Sequence, residues 1–558
     1  MVRKKATSDI TADESTAVVE VSMATAPNAQ TIPDIAESEA STKPKRTRSS
    51  RKPASTVAKD TSKTTAKKST ARKSTTIQVL AAASEIYPLI KTGGLADVVG
   101  ALPQALEQQG VHVKTLVPGY PRVMQALGEL TGEDAPKLWL ETYNFFWGDA
   151  RLWSATVYGM DLLVLDAPHL YARDGNPYLD PEGNDWWDNP TRFAALSLMA
   201  AQLSWGAYEH IDYRPDVLHV HDWQTALAPT YLHYLGAGKH RPKTIITIHN
   251  LAFQGQYSAH MFGFLGLPGH AFSTEGVEYY GGVGFLKAGI LFSDHITTVS
   301  PSYAQEITTI AGGMGMDGLL HARGQALSGI VNGIDTEIWN PAKDPALAAN
   351  YTASKLKQRQ INKQAVEKHF NIPHSDAPLL CIVSRLTWQK GMDLLIQSLD
   401  AIVAMDIRVV VLGSGDSSME AALYAAHHKH PTHIAVHTGY DEQLSHLMQG
   451  GCDGILVPSR FEPCGLTQLY GLRYGCVPIV TRVGGLNDTI IDANHAAVTA
   501  GVATGIQCHD VSADGIITAV ARMKQLYDQP KLWQSIQKAG MNTDVSWTQS
   551  ALEYKNLF

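Results

Sequence analysis

Ser459-Arg460-Phe461-Glu462-Pro463-Cys464-Gly465-Leu466-Thr467-Gln468-Leu469-Tyr470-Gly471 is the stretch around which the 558-residue chain is organised. It follows Ile455-Leu456-Val457, a short apolar run that reads as a buried strand. Pro463 and Gly465 punctuate a turn, and residues 466–474 then have helical character. A strand, a sharp turn and a helix start gather unpaired backbone N–H groups at one point, where an anion can sit. Glu462 stands beside that point. A carboxylate beside an anion pocket is costly to place by accident, although a surface Glu in an ordinary turn is the plainer alternative.

The whole chain bounds the reading. Its length calls for two or three domains rather than one core. With 44% hydrophobic and 18% charged residues the composition is that of a soluble globular protein. A net charge of −7, thinly spread, argues against a nucleic-acid role for the folded part. No apolar run approaches the roughly 20 residues needed to span a bilayer, so no membrane contact is expected. The cysteines Cys381, Cys452, Cys464, Cys476 and Cys508 are odd in number and lack CxxC spacing. That disfavours a disulfide framework and a zinc site, and points to a reducing cytoplasm.

Residues 1–75 read as a disordered tail. Residues 43–73 are rich in Lys, Arg, Ser and Thr, with Asp60 as the only acid. Such a segment buries too little apolar surface to offset its ordering entropy. A solvated tail is the plain reading, and polyanion contact through its charge block is the sharper one. The Ser/Arg bias also suits a transit peptide to a plastid or mitochondrion, but Asp9, Asp13, Glu14 and Glu20 weigh against it.

From Thr76 the texture becomes that of an α/β protein. Residues 77–83 are a strand signal, followed by Lys91-Thr92-Gly93-Gly94-Leu95-Ala96-Asp97, a glycine turn that enters an apolar helix. Gly93 and Gly94 let a ligand approach the backbone, and Lys91 can meet its negative charge. Residues 111–117 read as a second strand. Around Tyr171 to Trp187 aromatic side chains mix with Asp and Asn, which suits sugar stacking, or a packed loop anchored by Trp186 and Trp187. His221 and Asp222 follow one strand signal and His249 another. Several strands delivering polar groups at their carboxyl ends form the floor of a cleft. No third ligand of suitable spacing accompanies these groups, so no metal is expected.

Val331-Asn332-Gly333-Ile334-Asp335 is a turn at the start of a second α/β domain, with strand signals over 379–384, 408–412, 433–438, 454–457 and 477–481. Between the first of these and its helix lies Arg385-Leu386-Thr387-Trp388-Gln389-Lys390-Gly391. Arg385 and Lys390 bracket one short loop and offer bidentate plus point-charge binding to a diphosphate. In a partly screened site each cation–phosphate contact at ~4 Å contributes roughly 4 kcal/mol before desolvation.

Lys91-Thr92-Gly93-Gly94-Leu95, His221-Asp222-Trp223, Ser384-Arg385-Leu386 with Gln389-Lys390-Gly391, and Pro458 through Gln468 together resemble the bacterial glycogen synthase and plant starch synthase family. The resemblance runs from Thr76 to the C-terminus. It implies a GT-B glycosyltransferase, two Rossmann-like domains facing across a cleft. The implied boundaries are 76–325 for the acceptor-side domain, 326–543 for the nucleotide-sugar domain, and 544–558 for a segment that returns to the first. The implied reaction moves glucose from ADP-glucose to the non-reducing-end 4-hydroxyl of glycogen or another α-1,4-glucan, with retention and without a cofactor.

Residue by residue, the resemblance implies that Arg385 and Lys390 hold the diphosphate, while Lys91, Gly93 and Gly94 close on it from the other domain. Thr467 and the helix starting near Gly465 would add donors, and Tyr440 would stack on the adenine. Asp222, His249 and Glu462 would surround the glucose. Asp97, Asn332, Gln389, Cys464 and Leu466 complete the implied ADP-glucose site. Retaining GT-B enzymes often carry a second Glu eight positions after the first, and here that position is Tyr470. The family commonly lacks that acid, so the departure narrows the assignment. Whether Glu462 is a nucleophile or orients the glucose stays open at this level, as does a UDP-glucose-dependent relative as the alternative. Glucan phosphorylase is disfavoured by length and by the lack of a segment resembling its pyridoxal-phosphate lysine motif.

Overall fold

The computed structural model describes residues 76–558, so the expectations for residues 1–75 lie outside the described residues. Two parallel sheets dominate. The first begins with β1 (Ile77–Ala82) and β2 (Val111–Pro118), followed by β3 (Lys137–Phe145), β4 (Gly148–Val157) and β5 (Met160–Asp166). It continues with β6 (Val217–His221) and β7 (Lys243–Ile248). A small antiparallel sheet of β8 (Gln256–Ser258), β9 (Glu278–Tyr279) and β10 (Gly282–Gly284) intervenes before β11 (His295–Thr298) and β12 (Leu327–Gly329).

The large sheet has the order β12-β11-β7-β6-β1-β2-β5-β4-β3. Its strands are parallel from β12 to β5, and β4 and β3 add an antiparallel edge. The motifs do not anticipate that edge, because none of them falls within residues 137–166. Between β1 and β6 the strand order reverses, which is where an open α/β sheet leaves a crevice beyond its carboxyl ends.

The second sheet comprises β13 (Leu379–Val383), β14 (Arg408–Gly413), β15 (Ile434–Thr438), β16 (Gly454–Val457), β17 (Val477–Thr481) and β18 (Ile506–Cys508). Its order, β15-β14-β13-β16-β17-β18, is all parallel and reverses between β13 and β16. Val409, Val410, Val411 and Leu412 are buried on both faces of this sheet, the continuous apolar run that a parallel strand covered by helices requires. The loops after β13 and β16 are therefore the two that flank the reversal, and they are the two signature motifs.

The chain passes between the two sheets at residues 330–334 and again at 545–547. Ile334 N–H donates to the Val545 carbonyl at 2.8 Å, joining the two crossings. The last helix, Thr548–Leu557, packs against Gly94–Glu107 of the first domain. Trp547, Ala551 and Tyr554 are buried there with Val79, Val98 and Val217. Lys555 Nζ caps the other end of the contact by donating to the Gln109 carbonyl at 2.6 Å.

Trp547→Ala should lower folding stability by about 3–5 kcal/mol, the usual cost of removing a buried Trp. Denaturant unfolding of the purified variant measures it, and a change under 1 kcal/mol would show that this crossing does not tie the domains together.

Candidate active site

The 385–391 and 458–468 loops are tied to each other before any ligand is considered. Arg460 holds Asp393 through two contacts at 2.6 and 2.7 Å, donates to the Trp388 carbonyl at 2.7 Å and lies 4.4 Å from the Trp388 ring. The Arg460 N–H bonds the Gln389 carbonyl at 2.9 Å, and Gln389 Nε2 donates to the Phe461 carbonyl at 3.4 Å. Gly391, at φ +68°, lies so close to Pro458 that an added Cβ would fall 2.0 Å from its carbonyl oxygen. Only glycine permits both that backbone conformation and that approach.

This joinery sets Lys390 against Glu462. Lys390 Nζ donates to Glu462 Oε2 at 2.6 Å, and Ser459 Oγ donates to the same oxygen at 2.8 Å. Glu462 is buried. Beside the pair the helix Thr467–Tyr474 begins without a side-chain cap, leaving its first N–H groups free. Gly465, at φ +75°, makes the turn into it, and Gln468 Nε2 fixes that turn by donating to the Cys464 and Gly465 carbonyls. Ser384, Lys390, Ser459, Glu462, Gly465 and Thr467 line one small pocket of about 50 Å³. A cation, a carboxylate and a helix N-terminus thus share one pocket, which is what a phosphorylated sugar needs.

Arg385 is exposed and, among the described residues, has no carboxylate or hydrogen-bond partner for its guanidinium. Tyr440 is 76% exposed, its hydroxyl donating to Glu442 at 2.5 Å, so its ring face is free to stack. Asn332 is buried, and its Oδ1 has no hydrogen-bond partner among the described residues. Cys464 is buried, and burial pushes its thiol up to about 12, so it packs as a neutral group.

Across the cleft, the Gly93-Gly94 turn is held from below by Glu85, a buried carboxylate that the sequence motifs pass over. Glu85 accepts from the Thr92 backbone N–H, from Thr92 Oγ1 at 2.6 Å and from the Tyr178 hydroxyl at 2.5 Å. Its signal in the sequence is an acid three residues beyond the end of a mostly apolar strand. A Cβ on Gly93 would meet nothing within 4 Å and one on Gly94 only Leu466 Cδ1 at 3.8 Å, so the protein's own packing does not demand glycine there. Lys91 bonds Asp97 at 2.7 Å, and burial raises the Asp97 pKa against the lowering pull of Lys91.

Asp222 and His249 end adjacent strands. Asp222 has φ +54°, a conformation uncommon for a residue with a side chain, and its Oδ1 accepts from the His249 N–H at 2.6 Å. His249 Nε2 lies 3.0 Å from His221 Nδ1. Burial drives both imidazoles toward the neutral form and raises Asp222 to about 7, partly offset by the His249 and Asn250 N–H groups. Tyr303 is buried in the core of the first domain, its hydroxyl accepting from the Leu251 N–H at 3.1 Å. Burial raises its pKa, and the charges of both Asp222 and Glu462 add to the shift.

Direct bonds also join the two domains at the cleft. Ser300 Oγ donates to the Pro463 carbonyl at 2.6 Å, and the Gly484 N–H donates to Glu306 at 2.7 Å. Of the tryptophan pair, Trp186 is a loop anchor, its Nε1 donating to the Asn176 carbonyl at 3.3 Å under Arg173, whereas Trp187 is 83% exposed. Tyr470 lies flat on Trp339 with ring centroids 3.6 Å apart, so its position is occupied by aromatic packing. Among the described residues no group of three or more His, Cys, Asp or Glu could hold a metal ion, and no helix is long and apolar enough to cross a membrane.

Comparison with known proteins follows the same division. Residues 78–322 match the family model of the starch synthase catalytic domain, and residues 364–541 match that of glycosyl transferases group 1. Over 482 residues the chain is 55% identical to glycogen synthase 1 of Rhizobium meliloti (strain 1021), covering 86% of this chain and 98% of the relative. Glycogen synthase of Rhizobium tropici is 52% identical with the same coverage. Among solved structures, the catalytic domain of starch synthase IV from Arabidopsis thaliana bound to ADP and acarbose superposes with a TM-score of 0.76. That match is 30% identical and covers 87% of this chain and 99% of the other. Sucrose-phosphate synthase from Thermosynechococcus elongatus, at 14% identity and a TM-score of 0.51, shares the fold.

The raised Asp222 pKa carries a double consequence. The folded value stands above the unfolded one, so the group's favourable contribution is present while it is protonated and is lost as pH rises from about 4 to about 7. Asp222→Asn should therefore raise the melting temperature near pH 8 and leave it unchanged near pH 4, while removing an activity limb that rises through about pH 7. Thermal scans and pH–rate profiles of both proteins measure the pair of effects.

Proposed function

The chain belongs to the bacterial glycogen synthase and plant starch synthase family of GT-B glycosyltransferases, and on that premise we propose how its site performs the transfer. Glucose moves from ADP-glucose to the 4-hydroxyl at the non-reducing end of an α-1,4-glucan, in glycogen biosynthesis, with retention at the anomeric carbon. The observation that carries the reading is the Lys390–Glu462 pair at 2.6 Å beside an uncapped helix N-terminus.

In this reading the diphosphate lies at the N-terminus of Thr467–Tyr474, against Lys390, Arg385 and, from the other domain, Lys91 and the Gly93-Gly94 backbone. The adenine stacks on Tyr440. As the bond from the anomeric carbon to the phosphate oxygen breaks, its electron pair goes to ADP, and these cations and N–H groups stabilise the charge that develops there. The sugar becomes oxocarbenium-like, and ionised Glu462 and Asp222 favour that positive charge. The acceptor oxygen bonds to the anomeric carbon on the face the phosphate leaves, and its proton passes to the departing phosphate. Glu462 then acts on charge and on sugar hydroxyls and forms no bond to carbon. The cation set supplies what a metal would supply at the diphosphate, so the proposal needs no cofactor. Bacterial relatives and five free cysteines support a cytoplasmic setting, and the basic run at 43–73 supports a polyanion contact outside the catalytic part.

One assay series tests these points. Lys390→Ala should lower kcat/KM for ADP-glucose on glycogen by about 10²–10³, the size of effect seen when one donor to developing charge is removed. Wild type should prefer ADP-glucose to UDP-glucose, and a chain lacking residues 1–75 should keep its rate while losing salt-sensitive retention on a polyanion column. An unchanged Lys390→Ala rate would remove the diphosphate assignment.

A further inference from the structure

The turn between β3 and β4 is a two-residue hairpin made of Phe146 and Trp147, with φ +49° and +69°. Positive φ at both central positions is the pattern that ordinarily selects Asn-Gly, because side chains crowd the backbone there. Aromatic residues gain nothing from that conformation, so the turn is held by its surroundings. His169 wedges against its neck, its Nε2 3.1 Å from the Phe145 carbonyl oxygen, in the space a Cβ on Gly148 would fill. Backbone strain of this kind, held in place by neighbours, clusters at ligand-binding and functional sites.

The register locates the turn. β5 runs parallel to β2, and β4 returns antiparallel with Arg151 opposite Asp166. The start of β4 therefore lies at the carboxyl end of the sheet, the end from which Glu85, Asp222 and His249 serve the cleft. Trp147 is 63% exposed and meets Phe264, 48% exposed, edge to face at 5.7 Å. Phe264 ends the short helix Ala259–Phe264 in the segment that leaves His249. The platform is thus continuous with the acceptor side of the cleft. At the strand spacing of about 4.8 Å, β4 lies three strands, roughly 14 Å, from β1.

We infer that Trp147, backed by Phe264, is a glucan-stacking platform that engages sugars several units behind the reacting end of the acceptor. The inference rests on the proposed glucosyl transfer to an α-1,4-glucan and deepens it with a residue that sets acceptor length. Exposed indole faces suit the C–H face of a pyranose, and the ring contributes to chain affinity without touching the bond that forms.

The test compares Trp147→Asn, which suits positive φ while removing the ring, with Tyr158→Asn. Tyr158 is 65% exposed with φ +49° in the β4–β5 turn at the opposite end of the sheet. Trp147→Asn should raise KM for glycogen roughly five- to tenfold, speed migration in a glycogen-containing native gel, and leave kcat and the KM for ADP-glucose unchanged. With maltotriose, too short to reach the platform, wild type and variant should match, and Tyr158→Asn should behave as wild type throughout. Unchanged glycogen KM and migration, or equal losses on both acceptors, would overturn the platform. A wild-type protein that transfers no glucose to either acceptor would overturn the underlying reading instead.

Discussion

The contact between Lys390 and Glu462 is the constraint on which the rest of the site depends. Opposite charges at 2.6 Å, largely shielded from water, lie on loops that leave β13 and β16, the two strands flanking the order reversal of the second sheet. Helix dipole, ammonium and carboxylate converge there because an open parallel sheet leaves a crevice beyond its carboxyl ends at such a reversal. The first sheet repeats the arrangement, with the glycine turn after β1 and Asp222 after β6. In the proposed transfer, donors to a single diphosphate and groups around a single sugar come from both halves.

What keeps such groups in place is ordinary structural chemistry away from the reacting atoms. Arg460 staples one signature loop to the other through Asp393 and the Trp388 carbonyl. Glu85 does the same for the Gly93-Gly94 turn through Thr92 and Tyr178. Asp222 is held in an uncommon backbone conformation with a carboxylate that burial makes reluctant to ionise. The last is a cost in folding free energy at the candidate site, and the large apolar cores on either side offset it.

Much of the site was legible in sequence because its chemistry needs particular residues at particular turns. Glu462, Lys390, the glycine pair and the strand-end Asp222 and His249 each announce a carboxyl-end loop of a parallel strand. Tyr470 was legible as the absence of an acid, though only the structure shows it stacked on Trp339. The roles of Glu85 and Arg460 were hidden, since a buried acid and a stapling Arg have no spacing rule and depend on contacts distant in sequence. The β3–β4–β5 edge was hidden for a different reason: its hairpin uses Phe146 and Trp147 where turn chemistry would lead a reader to expect Asn-Gly.

The central claim is that Glu462 and Lys390 act on charges that develop as the glucosyl–phosphate bond breaks, one on the sugar and the other on the leaving group. Steady-state kinetics of Glu462→Gln test it most directly. The account predicts a fall in kcat of about 10²–10³ with the KM for ADP-glucose changed by no more than a few-fold. A variant that keeps kcat and loses only donor affinity would contradict it, because Glu462 would then contribute to binding and not to the transition state.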